Sequence, residues 1–340
     1  MKKENVVVTM GDPAGIGPEI VCKSFAKPEV FAEANVAVVG DLGVLKLANE
    51  ICKTNLHFNP ITSFSQGKFE PGTLDVFDLD NINLSTFKWG KVSAECGQAA
   101  FDYIKKAYEL CRDDEAVAMA TTTINKEALS EAGIKQLGHT DILQDLTGVQ
   151  TPLTMFEVKN LRVTFYSKHL SLKDACDAIT KEGIKEYTLK TIDALKTMGI
   201  ENPSVAVAGL NPHCSDGGLF GHEEIDSIIP AIEEMQAEGV NVHGPIGADS
   251  VFHQALMGKY DGVLSLYHDQ GHIATKMVDF DRTISITHGL PFLRTSVDHG
   301  TAFDIAGTGV ADEISLDEAI RLACHYASRF KAARERNNKN

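Results

Sequence analysis

Short apolar, β-rich runs alternate with longer amphipathic segments along nearly the whole chain, and this alternation restricts the fold more than any other feature. Six such runs are NVVVTM, NVAVVG, AVAMAT, LRVTFYS, SVAVAGL and DGVLSL. Segments with helical periodicity lie between them, for example CGQAAFDYIKKAYELC and EEIDSIIPAIEEMQAEG. Strands that alternate with helices form parallel sheets covered by helices. The sequence therefore predicts an α/β protein with a mostly parallel sheet.

Several of these runs are followed closely by ionisable side chains. His169 follows LRVTFYS, His213 follows SVAVAGL, and His268 follows DGVLSL. Open α/β sheets bind ligands at the carboxyl ends of their strands, so we expect a ligand site there. Three imidazoles at one sheet edge can hold a divalent cation and leave positions open for a substrate. The alternative that these are ordinary surface or buried histidines stays open, because no local metal motif links them.

His268 and His272 are four residues apart, so a helix would place both on one face. Gly271 lies between them and favours a turn at that point. We therefore expect His268 to be the ligand and His272 to be its neighbour.

The charge and cysteine patterns exclude several classes of protein. The chain has 47 acidic and 32 basic residues, a net charge of −15, and no basic block, which argues against binding to nucleic acids or anionic membranes. Its seven cysteines are scattered without a C-x-x-C pair, as is typical of reduced cytoplasmic proteins. Signal-peptide and membrane-helix patterns are missing. We expect a soluble cytoplasmic protein.

Two glycine-rich segments are candidate ligand loops. VVVTMGDPAGIGPEI reads as strand, loop and helix; its loop could offer backbone amides to an anion or simply be a tight turn. It is not the G-x-G-x-x-G fingerprint of dinucleotide folds. The second segment, HGLPFLRTSVDHGTAFDIAGTGVA, carries Arg294. This arginine could bind phosphate or carboxylate bidentately, or form a structural ion pair.

These segments together identify a family resemblance over nearly the full length. MGDPAGIGPEI, NKEAL followed by GHT, LNPH, GLFGHEEID, YHDQG and GLPFLRTSVDHGTAFDIAGTG resemble the 4-hydroxythreonine-4-phosphate dehydrogenase family. HGTAFDIAGTGVA is also similar to the adenine-side cofactor loop of isopropylmalate and isocitrate dehydrogenases. The resemblance implies two α/β/α domains with a cleft between them. Residues 1–130 plus 290–340 would form the cofactor-side domain, and residues 131–289 the domain for metal, substrate and dimerisation.

The resemblance also implies an NAD-dependent enzyme that needs a divalent metal, either Zn or one of Mg, Mn, Co and Ni. It would oxidise the C3 alcohol of a 4-phosphorylated C4 acid, which then loses CO2. By family pattern, the site residues are His169, His213 and His268 for the metal; His139, Thr140, Lys276, Ser285 and Arg294 for the substrate; Lys276 and Asp249 for catalysis; and His299, Gly300, Thr301, Ala302, Asp304 and Gly307 for the cofactor. The family is dimeric with its active site at the interface, so His268 would come from the partner chain.

Two departures from the family pattern bear on the substrate. TTTINK stands where the family usually has a Gly-Pro or Ala-Pro pair, and Ser285 stands where asparagine is common. NKEAL, YHDQGHI and HGTAFDIAGTG are closer to the branch that oxidises D-threonate 4-phosphate than to the vitamin B6 branch, which acts on 4-phosphooxy-L-threonine. The alternatives are a metal-dependent hydrolase or lyase of a phosphorylated metabolite that does not use NAD, and a catalytically silent binding protein on the same fold.

Overall fold

The computed structural model describes residues 3–337, in which strands and helices alternate. The strands are β1 Glu4–Thr9, β2 Ala34–Gly40, β3 His57–Pro60, β4 Thr73–Asp78, β5 Ala118–Thr121, β6 Leu153–Val158, β7 Leu161–Phe165, β8 Val205–Ala208, β9 Val242–Ile246, β10 Gly262–Ser265, β11 Ile284–His288 and β12 Leu293–Ser296. The helices are α1 Gly17–Phe25, α2 Leu42–Cys52, α3 Ala94–Arg112, α4 Lys126–Glu131, α5 His139–Thr147, α6 Leu172–Asp177, α7 Lys181–Thr197, α8 Ile229–Ala237, α9 Ala248–Leu256, α10 His268–Val278 and α11 Ile314–Asn337.

The chain divides into two compact units, and both are α/β, so the predicted fold class is confirmed. The first unit comprises Met1–Pro152 with Leu290–Glu335, and the second is built on Leu153–Gly289. The chain leaves the first unit after Pro152 rather than near residue 130, because α5 packs against α3. It returns to the first unit at Leu290.

Six parallel strands form the sheet of the first unit, in the order β3-β4-β2-β1-β5-β12. As predicted, NVVVTM, NVAVVG and AVAMAT form β1, β2 and β5. The valines of β1 and β2 are buried, since a parallel sheet covered on both faces needs continuous apolar runs. Thr9, Thr121 and Ser296 are aligned in register at the carboxyl ends of β1, β5 and β12, so hydroxyl side chains line this edge.

The second unit has the strand order β11-β6-β7-β10-β8-β9. Strand β6 is antiparallel to both β7 and β11, whereas β7, β10, β8 and β9 are parallel. LRVTFYS, SVAVAGL and DGVLSL form β7, β8 and β10, as predicted. Because these three strands are adjacent and parallel, the residues that follow them lie at one edge of the sheet.

Helix ends follow local capping chemistry. The segment 171–199 has helical periodicity throughout, but it forms two helices, α6 and α7. Thr180 starts the second one, because its Oγ1 accepts a hydrogen bond from the Gly183 amide at 3.1 Å.

No helix within residues 3–337 combines the length and apolar composition needed to cross a bilayer. All seven cysteines are free thiols.

Candidate functional site

The three predicted metal ligands lie at the carboxyl edge of the second unit's sheet. His169, His213 and His268 follow β7, β8 and β10, and all three are exposed. Asp249 follows β9 and lies in the first turn of α9. The topology therefore places these four side chains on the loops and helix starts where a parallel sheet binds ligands.

His213 lies in a turn with a left-handed backbone. The φ angles of His213, Cys214, Ser215 and Asp216 are 55°, 54°, 65° and 47°. This conformation costs L-residues about 1–2 kcal/mol each, so a run of four requires surrounding contacts that impose it. Such strain is concentrated at functional positions in proteins.

Glu224 fixes the chain where it enters this turn. Its buried carboxylate accepts hydrogen bonds from the amides of Leu210 and Asn211 at 2.8 and 2.7 Å through Oε1, and from Asn211 Nδ2 at 2.8 Å through Oε2. Within the turn, the Ser215 carbonyl accepts from the Gly218 amide at 3.1 Å. His213 is thus held by a hydrogen-bonded backbone whose anchors are buried.

The turn predicted at Gly271 is wrong, because α10 continues through this residue from His268 to Val278. A Cβ at Gly271 would lie only 2.4 Å from Phe165 Cε1 and 2.7 Å from Ser265 Oγ. The glycine is therefore there to let the helix pack closely on β7 and β10, not to end the helix.

His268 is the first residue of α10, and its ring is held by two neighbours. Its Nδ1 is 2.6 Å from Asp269 Oδ1, a carboxylate contact that leaves Nε2 as the nitrogen for a metal. The His272 ring stacks on it with centroids 3.8 Å apart, and His272 Nδ1 is 2.8 Å from the His268 carbonyl oxygen. These contacts agree with the prediction that His272 is a neighbour of the ligand.

The donor types at this edge fit a divalent metal, but within residues 3–337 they are not grouped as a metal site. Imidazole nitrogens suit zinc and nickel better than magnesium. Among residues 3–337, however, no group of three or more His, Cys, Asp or Glu side chains is arranged to hold a metal ion.

Lys276 and Ser285 are the other predicted site residues of the second unit. Lys276 is in the last turn of α10, with its Nζ 5.2 Å from the centre of the Phe280 ring. It is eight residues beyond His268, which corresponds to about 12 Å along the helix axis. Ser285 lies within β11, paired with Phe156 of β6, and is partly exposed. Lys276 and His268 thus belong to opposite ends of one helix.

Arg294 is a buried cation of the first unit. It is 5% exposed, and its Nε and Nη2 donate to Thr121 Oγ1 at 3.2 and 3.0 Å. Burial lowers the pKa of this guanidinium to about 10, so it stays cationic at neutral pH. A guanidinium fork fixed in this way is suited to bidentate binding of an anion.

His139 and Thr140 open helix α5, directly after Gly138. Burial, and next the nearby Arg294 cation, hold the pKa of His139 well below its usual range, so this imidazole is neutral. Its buried Nε2 has no hydrogen-bond partner within residues 3–337. An unpartnered ring nitrogen at a helix N-terminus and close to a cation is suited to a phosphate group.

The predicted cofactor residues lie in an irregular loop between β12 and α11. They are His299, Gly300, Thr301, Ala302, Asp304 and Gly307. The buried carboxylate of Glu19 in α1 accepts hydrogen bonds from the Gly307 and Gly309 amides, the latter at 2.7 Å. Lys23, one turn later, donates to the Gly309 carbonyl at 2.8 Å and to that of Ala311. Helix α1 therefore helps to shape this loop.

MGDPAGIGPEI forms a tight strand-to-helix turn that packs on the same loop. A Cβ at Gly17 would lie 2.1 Å from the Met10 carbonyl oxygen, and one at Gly15 would lie 3.1 Å from Thr301 Cβ. The Ile16 amide donates to the Thr301 carbonyl at 3.1 Å. Close packing accounts for these glycines, which favours the tight-turn alternative.

Asp12, in this turn, was not among the predicted site residues. It is fully buried; its Oδ1 accepts from the Ala14 amide at 2.9 Å, and its Oδ2 has no partner within the described residues. Burial raises its pKa to about 6, against a smaller lowering by the Ala14 hydrogen bond. The Asp12 amide donates to the Thr123 carbonyl at 2.9 Å, and Thr122 Oγ1 donates to the Thr9 carbonyl at 3.0 Å. The threonines of TTTINK therefore join the loop after β5 to β1.

Four structurally important residues were missed: Asp12, Glu19, Thr121 and Glu224. Three of them stand in stretches that carried the family resemblance, MGDPAGIGPEI and GLFGHEEID. For these three, an acidic residue inside a conspicuous stretch was the available signal, because one carboxylate can accept several backbone amides.

Comparisons with known proteins place the chain among phosphorylated-acid dehydrogenases. The sequence profile of the pyridoxal phosphate biosynthetic protein PdxA matches residues 32–323. A Clostridium botulinum protein with the curated name "Putative D-threonate 4-phosphate dehydrogenase" is 54% identical over 329 residues, covering 97% of this chain and 98% of that protein. The solved 4-hydroxythreonine-4-phosphate dehydrogenase of Klebsiella pneumoniae is 40% identical, with a TM-score of 0.88, and the match covers 96% of this chain and 98% of that one. The corresponding Burkholderia phymatum structure is also 40% identical, with a TM-score of 0.86 and coverage of 96% and 99%.

Proposed function

This chain belongs to the family of the pyridoxal phosphate biosynthetic protein PdxA, and on that premise we propose that it is an NAD-dependent, metal-dependent dehydrogenase. It oxidises the C3 alcohol of a 4-phosphorylated four-carbon acid, and the resulting β-keto acid loses CO2. The observation that carries the substrate class is the buried Arg294 guanidinium close to His139 at the start of α5. These groups offer a phosphate a fixed cation, an unpartnered ring nitrogen and a helix N-terminus.

The proposed metal ligands and proton acceptors belong to the second unit. When bound, a divalent ion supplies Lewis-acid polarisation of the alcohol and of the carbonyl that replaces it. His169, His213 and His268 are the proposed ligands, and their imidazoles favour zinc or nickel over magnesium. Lys276 or Asp249 is proposed to accept the alcohol proton, and Ser285 to contact the substrate. The seven free thiols fit a cytoplasmic location.

D-threonate 4-phosphate is the proposed substrate, and 4-phosphooxy-L-threonine is the second candidate. The relatives named for D-threonate 4-phosphate share 54% identity with this chain, whereas the solved 4-hydroxythreonine-4-phosphate dehydrogenases share 40%. The two substrates differ at C2, where the first has a hydroxyl group and the second an amine. The higher identity supports the hydroxyl substrate.

The function is tested by following NADH formation with each substrate, in the presence of zinc, nickel, manganese, cobalt or magnesium. We expect NADH and CO2 in equal amounts, with D-threonate 4-phosphate as the better substrate by kcat/KM. Consumption of the substrate without NADH would support a hydrolase or lyase instead. If neither acid is consumed although the protein binds metal and phosphate, the dehydrogenase proposal fails and a silent binding protein is favoured.

We propose that the active enzyme is a homodimer in which His268 is contributed by a second copy of the chain. Among its described residues, one chain does not assemble a metal-binding group. His268 at the start of α10 and Lys276 in its last turn are separated by about 12 Å along the helix axis. Three large apolar side chains are exposed on α10 and two residues beyond its end: Ile273 (62%), Met277 (80%) and Phe280 (65%). An apolar surface beside an exposed, oriented histidine is suited to an isologous dimer contact.

The shared site predicts complementation between two inactive variants. His213→Ala and His268→Ala homodimers are each expected to be inactive. Because a mixed dimer keeps one site with all its histidines, co-refolding the two variants should restore about a quarter of wild-type activity, assuming that half the dimers are mixed and each has one intact site of two. Mixtures that form heterodimers by native mass spectrometry yet remain inactive would show that all three histidines act within one chain.

A further inference from the structure

Trp89, the only tryptophan of the chain, lies against the loop that is proposed to receive the cofactor. A Cβ at Gly307 would lie 2.4 Å from Trp89 Cγ, so the indole touches the Gly307 backbone. Gly307 has a φ of 79°. Only glycine accommodates both this left-handed backbone and the close approach of the indole.

The segment that carries Trp89 is held between the two glycine-rich stretches. The Gly90 amide donates to the Ala14 carbonyl at 2.8 Å, and a Cβ at Gly90 would lie 2.4 Å from the Phe303 carbonyl oxygen. The Phe87 ring meets the indole edge-to-face, with centroids 5.0 Å apart and planes at 77°. Trp89 is therefore fixed in position while part of its surface stays exposed.

The cofactor loop itself has few backbone donors left near the indole. The Gly307 and Gly309 amides donate to Glu19, the Ile305 and Ala306 amides donate to the Ala302 carbonyl, and the Thr308 amide donates to the Ile305 carbonyl. From 305 to 309, then, every backbone amide is used inside the protein. This part of the loop is suited to contact a flat ring by packing rather than by amide hydrogen bonds.

We propose that Trp89 is the stacking wall of the adenine subsite, with Phe87 supporting it from the side. An indole that packs on the Gly307 backbone and is partly exposed offers a purine a large, rigid apolar platform. The proposal rests on the proposed function only in assigning residues 299–307 to a dinucleotide. It names a residue outside that segment as part of the site.

Because Trp89 is the sole tryptophan, the emission of the intact wild-type protein reports on this position alone when it is excited at a wavelength that the seven tyrosines do not absorb. ADP-ribose carries the adenine half of NAD and cannot be reduced. We expect it to quench the tryptophan emission saturably and to compete with NAD, whereas nicotinamide mononucleotide at the same concentration leaves the emission unchanged.

Kinetics of three variants test the same contact. Trp89→Leu is expected to raise KM for NAD about ten-fold, as loss of one stacked base does, with KM for the phosphorylated acid unchanged. Trp89→Phe should restore most of the NAD affinity, because a ring remains. Tyr108→Leu is the matched control, since it removes another partly buried aromatic of the same unit, on α3, and should leave both KM values unchanged.

The outcomes separate this proposal from the proposed function. If the wild type forms NADH, but ADP-ribose does not quench and Trp89→Leu has a normal KM for NAD, the stacking wall is wrong and the dehydrogenase stands. If ADP-ribose quenches but no phosphorylated acid yields NADH, the adenine subsite stands and the assigned reaction is wrong. Thermal unfolding checks whether Trp89→Leu is folded. If it is not, the fluorescence titration of the wild type alone decides.

Discussion

Replacing His213 with alanine is expected to remove the bound metal ion and to stop turnover while the fold stays intact. The imidazole is exposed on a turn whose anchors, Glu224 and Ser215, are buried and unchanged by the substitution. Loss of one of three proposed ligands should leave less than a tenth of the wild-type metal content after dialysis, because the remaining donors no longer complete a site. We expect kcat/KM to fall about a thousand-fold, roughly 4 kcal/mol of transition-state stabilisation.

Two further variants distinguish loss of the ligand from loss of the turn. His213→Asn keeps a residue type that tolerates left-handed backbone but removes the imidazole, so it should lose metal as alanine does. His253→Ala removes an exposed histidine of α9 in the same unit and should change nothing. Elemental analysis that finds wild-type metal content in His213→Ala would refute the ligand assignment, and circular dichroism checks that the fold is retained.

The strands that were predicted from the sequence are those buried on both faces. β1, β2, β5, β8 and β10 are apolar through their centres, which a parallel sheet requires. β7 reads LRVTF, and only its Arg162 is partly exposed. The missed strands carry weaker local signals. β3 reads HFNP and β9 reads VHGPI, and proline and glycine argue against a strand when only the local sequence is considered. β11 pairs antiparallel with β6 across more than a hundred residues of sequence, a contact that no local pattern encodes.

The same limit applies to the candidate site. Histidines that follow strands could be placed at one sheet edge, because strand direction alone decides that. Which of them share a metal could not be predicted, since side-chain grouping depends on the turn geometry after β8 and on the partner chain that we propose. Glu19 accepts a hydrogen bond from the amide of Gly307, which is 288 residues away in the sequence. No spacing rule connects such residues. Gly271 was misread because its role is packing against Phe165, not backbone freedom.

Replacing Arg294 with lysine is expected to raise KM for the phosphorylated acid about a hundred-fold, roughly 2.7 kcal/mol, and to leave KM for NAD unchanged. Lysine keeps the positive charge but loses the planar fork that Thr121 Oγ1 orients through Nε and Nη2. Arg321→Lys on α11 is the matched control, because its guanidinium is half exposed and paired with Glu318, and should behave as wild type. A normal KM for the substrate in Arg294→Lys would show that the phosphate is bound elsewhere.

A second substitution at this position, Arg294→Gln, separates the charge from the fork. The Arg294 cation is one of two causes that lower the pKa of His139, after burial, so removing the charge should raise that pKa. Burial still opposes protonation, but His139 should gain a proton at a higher pH than in the wild type, and a protonated imidazole beside the phosphate partly replaces the lost cation. The KM defect of Arg294→Gln is therefore expected to shrink at low pH, whereas that of Arg294→Lys does not. Protonation of the substrate phosphate affects both variants equally, so the ratio of their KM values across pH isolates His139. A ratio that does not change with pH would show that His139 gains no proton beside the phosphate when the Arg294 charge is removed.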